Sequence, residues 1–426
     1  MGDRTMEKRR YRAVQLEDLN TVELIEAVTG KRVVLGIDIA KQINFGTFCI
    51  EQSKVLKIVK WHNTRQARDL VSLLKSLPAS RLEVAMESSG TYGDALLHLL
   101  SQEGIPTYLV SSKKTHDNME TYDGVPSTHD AKASAIISDL QIRNQGNPWR
   151  IRHEMERDFA AALEAFEYVQ DLFSKHLNRI EAKLGRHWPE FTSFLTRDSL
   201  SFLNLLAHFG SPGEVAGRDS DAMELVRRIS RRTVSRDKIL RIIECAANTI
   251  GLDPTAEERN LIQRLASQAL TYRAECIQAQ AHCEALLKNY PVAERLSEVV
   301  GKITALVLLA DVGDPRNFSC SGAYIKALGL NFQVKSSGAN KKGQLRITKR
   351  GMKRARRYLY LATLRMIQQE EHFAAWHAKK VARDGGKLKM KSVVALMRKL
   401  SAGLWHVARG QTFQTQKLFK LENVKA

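Results

Sequence analysis

The chain has 426 residues, 43% of them hydrophobic and 26% charged, which is ample for two or three folded domains. Its formal net charge of +20 argues against an enzyme of small neutral metabolites and favours a polyanionic partner, nucleic acid first. The longest strongly apolar run, 303–310, is too short to span a bilayer, and residues 1–20 lack the apolar segment of a secretory signal. The five cysteines, Cys49, Cys245, Cys276, Cys283 and Cys320, show no CxxC spacing. No membrane association, disulfide framework or zinc site is therefore expected, and the protein is expected to stay in the cytoplasm, with the nucleoid.

In chain order, residues 1–30 read as a charged leader with one short helix. Residues 33–38, 45–50 and 55–61 read as three short strands with tight connections, and 65–77 has helical apolar spacing. A buried strand at 82–87, a helix at 92–102 and a strand at 106–110 follow. Asp130 then begins a helix whose apolar residues include Ala133, Ile136, Ile137 and Leu140. Strands alternating with helices predict an α/β domain with a mixed sheet over 31–150.

From Glu154 the strand signals vanish. Phe159, Leu163, Phe166, Val169, Phe173, Leu177, Ile180 and Leu184 recur at threes and fours and predict a long amphipathic helix. A second runs from a capping box at Thr255 and Glu258 through Leu265, Ala269 and Cys283 to Pro291, with basic helical sequence and a turn at 210–217 between the two. Stripes of this kind pack as an antiparallel hairpin or coiled coil, within one chain or between copies. This region is set at 151–292, a mainly helical basic domain at 293–410, and a tail at 411–426. Gly301, the apolar run after it and Gly313-Asp314-Pro315 fit a helix-hairpin-helix unit as well as a plain core helix.

The charge is unevenly placed. From Lys335 to Ala426 the chain carries 23 Lys and Arg against four acids, Glu370, Glu371, Asp384 and Glu422, so this region holds +19 of the +20. A charge serving solubility would be spread along the chain, whereas this distribution describes one polyanion-binding region. Lys341, Lys342, Arg346, Lys349, Arg350, Lys353, Arg354, Arg356 and Arg357 suit phosphate contact along a loop and a helix start. Tyr358 and Tyr360 adjoin them, and no base-reading motif is present, so backbone or RNA-shape recognition is expected.

Chemistry is expected at the front of the chain. Asp38 ends the apolar strand VVLGID and Glu87 ends LEVAME, which delivers two carboxylates to one sheet edge. Repulsion between them is tolerable only with a proton or a divalent cation between. Asp130, which opens a helix, is a third acid, although acids at helix starts also serve as caps.

GIDIAK around Asp38, AMESSG around Glu87 and STHDAKASAIISDL around Asp130 resemble the DEDD motifs of the IS110 family of insertion-sequence transposases, to which Piv-type DNA invertases are related. Residues 300–315 and the stretch AYIKALGLNFQVKSSGANKKGQLRITKRGMKRARRYLYLAT resemble the second conserved domain of that family, so the likeness covers about 31–410. It implies an RNase H-like (RuvC-like) first domain that binds Mg2+ or Mn2+ through Asp38, Glu87 and Asp130. It also implies a serine nucleophile in the carboxy-terminal domain, Ser337 before Gly338, with Ser336 as its competitor. DNA is the implied substrate, and a structured guide RNA is a further expected partner. Synapsis of two DNA ends calls for a homo-oligomer, a dimer or a tetramer.

One departure stands out. The family pattern places a fourth acid three residues after the third, where this chain has Ala133. Asp139 lies half a turn further round the helix and is expected to point away, and Asp123 in the preceding loop is the candidate replacement. A working three-acid site, substitution by Asp123 and a catalytically impaired nucleic-acid-binding protein all stay open. An actin-like ATPase, whose fold also opens with a GID strand, would lack a later Gly-rich phosphate loop and would leave the basic tail unexplained.

Overall fold

The computed structural model describes residues 11–51, 54–87, 90–335 and 344–419. The chain divides into two compact units, 1–152 and 153–426.

The first unit opens with β1 (Ala13–Gln15), α1 (Thr21–Val28), β2 (Arg32–Asp38), β3 (Ile43–Ile50) and β4 (Lys54–His62). It continues through α2 (Ala67–Ser76), β5 (Arg81–Glu87), α3 (Asp94–Gln102) and β6 (Thr107–Val110). It closes with α4 (Ser112–Asp117), α5 (Asp130–Ile142) and β7 (Asn147–Pro148). The strands form one mixed sheet in the order β1-β4-β3-β2-β5-β6-β7. In it β2, β5 and β6 run parallel, while β3 is antiparallel to both β2 and β4. The expected leader is corrected here: β1 pairs in parallel with β4, and Leu24 and Val28 of α1 are core residues.

Side-chain parity sorts the faces of this sheet. Val33, Leu35 and Ile37 of β2 join Val84 and Met86 of β5 beneath α2 and α3. Val34 and Ala85 face the other way, with Val110, onto Ile136, Ile137 and Leu140 of α5. That helix approaches closely because both sides of the contact are small: a Cβ built on Gly36 would stand 2.3 Å from the Ser138 nitrogen and 2.5 Å from the Ser134 carbonyl oxygen. Hydrogen bonds fill the space instead. The Gly36 N–H donates to Ser138 Oγ at 2.9 Å, Ser138 Oγ donates to the Thr47 carbonyl at 2.7 Å, and the Thr47 and Ser134 hydroxyls meet at 2.7 Å.

The second unit is mainly helical. It runs α6 (Glu154–His187), α7 (Leu200–Phe209), α8 (Pro212–Gly217), α9 (Asp219–Ile229), α10 (Arg236–Ala247) and α11 (Ala256–Leu287). Then come α12 (Pro291–Val300), α13 (Lys302–Asp311), α14 (Ser321–Ala327), β8 (Phe332–Lys335) and β9 (Gln344–Ile347). It ends with α15 (Lys353–Gln369), α16 (Glu371–Arg383), α17 (Lys389–Ala408) and α18 (Thr415–Phe419). The long helices α6 and α11 pack antiparallel within the chain. Leu177, Ile180 and Leu184 meet Ile262, Leu265 and Ala266 in one core, and Phe159, Leu163 and Phe166 meet Cys283 and Leu287 in another. The capping box at α11 forms, with Glu258 N–H on Thr255 Oγ1 and Thr255 N–H on Glu258 Oε2. Two expectations change. The turn at 210–217 contains α8, capped by Ser211 and opened by Pro212, and the basic region contains the antiparallel β8–β9 ribbon.

Candidate metal and nucleic-acid sites

The parallel register of β2 and β5 runs from Arg32 opposite Arg81 to Ile37 opposite Met86, so the next residues, Asp38 and Glu87, end neighbouring strands side by side. By parity, Asp38 follows Val34 and Gly36, and Glu87 follows Glu83 and Ala85, which places both acids on the α5 face. Asp130 is the first residue of α5, and the helix descends the same face to Gln141, which donates to Glu83 Oε2 at 2.8 Å at the opposite edge. The three acids therefore converge at one sheet edge.

Their electrostatics agree. Burial, then the charges of Asp130 and Glu87, pushes the Asp38 carboxyl up from 3.8 to about 7. Among the described residues, no three His, Cys, Asp or Glu side chains are gathered tightly enough to hold a metal ion as they are placed. The donor set nevertheless fits a hard divalent cation, because all three side chains are carboxylates and offer only oxygen ligands.

The candidate fourth ligand is committed elsewhere. Asp123 Oδ1 pairs with Lys132 Nζ at 2.7 Å, and Asp123 Oδ2 accepts from the Tyr11 hydroxyl at 2.6 Å. Burial alone would raise the Asp123 carboxyl, but the hydrogen bonds from Lys132, Tyr11 and the Val125 N–H hold it below its ordinary value. Lys132 is fully buried and also donates to the Val125 carbonyl at 2.6 Å. Asp139 is buried near the other end of α5 and pairs with Arg143. Neither Ser127, three residues before Asp130, nor Ala133, three after, is an acid.

The loops after Asp38 and Glu87 are tied together by a feature the sequence reading missed. Asn44 Oδ1 accepts from the Ala40 N–H at 2.9 Å, and Asn44 Nδ2 donates to Asn63 Oδ1 at 2.9 Å. Asn63 Nδ2 reaches the Ala40 carbonyl at 3.1 Å and the Tyr92 carbonyl at 3.2 Å. A buried asparagine in an otherwise apolar strand was the available signal.

The basic residues separate into two classes. Arg346, Lys349, Arg350, Lys353 and Arg357 are exposed. Arg354 and Arg356 are not free for phosphates. Arg354 Nη2 lies 2.5 Å from Asp311, whose side chain is 1% exposed, and Arg354 Nη1 lies 2.8 Å from Glu167. Arg356 donates to the Gly351 carbonyl at 2.7 Å, and burial lowers its affinity for a proton. Both face inward because α15 must bury Ala355 and Leu359, and an amphipathic helix turns the neighbouring long side chains to its flanks. Ser336, Ser337, Lys341 and Lys342 lie outside the described residues.

Residues 35–189 match a family model described as a transposase, of the DEDD type of IS110, and residues 296–378 match one described as the transposase IS116/IS110/IS902 family. The chain is 24% identical over 398 residues to the "Insertion element IS110 uncharacterized 43.6 kDa protein" of Streptomyces coelicolor, covering 91% of this chain and 96% of that protein. The seven-stranded mixed sheet followed by a helical region is compatible with a DEDD nuclease-like fold, and such a domain points to dependence on a divalent metal. No helix among the described residues is long and apolar enough to cross a membrane.

Proposed function

This chain belongs to the IS116/IS110/IS902 family of transposases, enzymes of DNA recombination, and from that premise we propose that Asp38, Glu87 and Asp130 form the acid site of its strand chemistry. The observation that carries the proposal is the parallel register that ends β2 and β5 side by side at Asp38 and Glu87, on the sheet face where α5 begins with Asp130. A divalent cation, Mg2+ or Mn2+, bound there would polarise phosphate oxygens and stabilise the charge that develops on them. Holding it requires the three carboxylates to come closer together than they stand. Two of them stand on strand ends and the third on a helix start, so little backbone has to move.

Ser337 is the proposed nucleophile, with Ser336 as its competitor. Its Oγ–P bond forms as one P–O bond of the DNA backbone breaks; the serine proton leaves, and the departing oxygen takes one up. The phosphoester is then kept on the protein, and the strand can be rejoined without external energy. Arg346, Lys349, Arg350, Lys353 and Arg357, with Lys341 and Lys342, would contact phosphates. A structured guide RNA is a second polynucleotide for this face. The RNase H-like assignment of the first unit, a coiled-coil role for α6 and α11, assembly of two or four copies for synapsis, and residence at the nucleoid in the cytoplasm belong to the same proposal.

A catalytically impaired, nucleic-acid-binding protein is favoured by one observation: position 133 holds no acid, and Asp123, its candidate replacement, is bound to Lys132. A recombination assay in cells with the flanking DNA of the element separates the readings. Activity in the native chain that is lost in Asp38→Ala and Ser337→Ala supports the three-acid serine recombinase. Activity that appears only with Ala133→Asp supports the impaired form.

A further inference from the structure

Beside the β8–β9 ribbon, between it and α16–α17, lies an open groove of about 1020 Å³. Its apolar wall includes Phe332, Leu388 and Met390, and its polar wall includes Arg346, Lys349 and Lys391. The apolar side chains are uncovered, with Phe332 51% exposed and Met390 57%. One aromatic face is already engaged, because the Arg398 guanidinium stands 4.1 Å from the Phe332 ring centre while donating to the Leu330 carbonyl at 2.5 Å. The groove acid, Asp384, is matched by Lys380 at 3.0 Å and Arg383 at 3.7 Å, and the groove lining carries a net positive charge. Lys349 sits at φ +54°, a costly conformation for a side chain with a Cβ, and is pinned there by its N–H on the Gly329 carbonyl at 3.0 Å.

Phosphate contact alone needs cations and no exposed aromatic ring. A duplex keeps the faces of its bases stacked inside and offers such a ring nothing to cover it. A strand with an unpaired base offers both a flat apolar face and a phosphate, and it matches an aromatic platform rimmed by Lys and Arg. We infer that this groove binds an unpaired nucleotide, its base against Phe332 and Met390 and its phosphates toward Lys349 and Lys391. The inference rests on the proposed polynucleotide-binding face and deepens it. Single-stranded DNA and unpaired RNA share this chemistry.

The test uses the full chain and 12-nucleotide strands of mixed sequence carrying a fluorescent base analogue, as single-stranded DNA, as single-stranded RNA and as DNA duplex. Phe332→Leu keeps an apolar side chain at an exposed position and removes the ring. It should weaken single-strand binding by about tenfold, abolish quenching of the analogue and change duplex affinity by less than about twofold. Loss confined to the DNA strand, or to the RNA strand, identifies the source. The inference is overturned if Phe332→Leu and Phe332→Ala leave single-strand affinity and quenching unchanged, or if they weaken duplex equally. Failure of the underlying reading looks different: Lys353→Gln and Arg357→Gln would then leave the salt dependence of all three probes unaltered.

Discussion

Replacing Asp38 with Asn tests the acid site through stability, without any activity assay. A carboxyl that ionises near 7 instead of 3.8 is held in an unfavourable field, and each tenfold step is worth about 1.36 kcal/mol, which sets a ceiling of about 4 kcal/mol. Asp38 is half-buried, and solvent screening brings the expected figure to about 1–2 kcal/mol. The sign follows from proton linkage. Between pH 3.8 and about 7 the folded chain holds a proton that the unfolded chain has lost, so native stability falls as pH rises through this window and is not penalised below it. In Asp38→Asn the first unit, 1–152, should therefore melt about 3–6 °C above that of the native chain at pH 8 in EDTA, and level with it near pH 4. Mg2+ or Mn2+ at 100 times its dissociation constant should stabilise the native chain by about 2.7 kcal/mol and the variant far less. Calorimetric scans of the full chain from pH 4 to 8, with and without metal, provide the measurement. An Asn variant that gains nothing at pH 8, or gains equally at every pH, would refute the unfavourable field placed on the Asp38 carboxylate.

Two further outcomes separate structural from functional residues. Arg354→Ala should cost about 3–5 kcal/mol in urea unfolding, because it strands the buried Asp311 carboxylate, and Asp311→Asn in the same chain should recover most of it. Lys353→Ala and Arg357→Ala should instead stay within about 0.5 kcal/mol of the native stability, and each should lower the slope of log affinity against log salt on duplex DNA by about 0.9. Gly36→Ala drives a Cβ to 2.3 Å from the Ser138 backbone and should cost about 3 kcal/mol or more with loss of recombination, whereas Ser138→Ala removes a hydrogen-bonding hydroxyl and should cost about 1 kcal/mol, both read by thermal melts.

What the sequence made legible was governed by local rules. Strand ends at Asp38 and Glu87, the start of α5 at Asp130 and the capped start of α11 at Thr255 all fall where period and capping chemistry put them. Contacts distant in sequence were not legible. Tyr11 reaches Asp123 across the first unit and draws the supposed leader into the fold, and nothing in residues 11–30 by themselves announces that partner. Arg354 looked like its neighbours in a basic run, and only the packing of α15 beside Asp311 and Glu167 set it apart. The β8–β9 ribbon escaped because its four-residue strands flank a basic, Gly-containing stretch too short to show a period.

The position of Asp130 depends on residues far down its own helix. At the lower edge of the sheet, Arg32 donates to Glu83 at 2.9 Å and to the Ile142 carbonyl at 3.0 Å, while Gln141 holds the same Glu83, so the end of α5 is fixed to β2 and β5. Midway, Gly36 and Thr47 admit Ser134 and Ser138 with no room for a further methyl group. At the top, the Lys132 and Asp123 pair fastens the first turn to the preceding loop. A helix rises about 1.5 Å per residue, so a shift of one residue at Ser138 would move Asp130 by the same 1.5 Å, enough to break carboxylate coordination that tolerates a few tenths. The small-residue stripe and the buried ionic groups on α5 therefore act on one quantity, the distance from Asp130 to Asp38. A substitution anywhere along that face should be read first as a displacement of the acid.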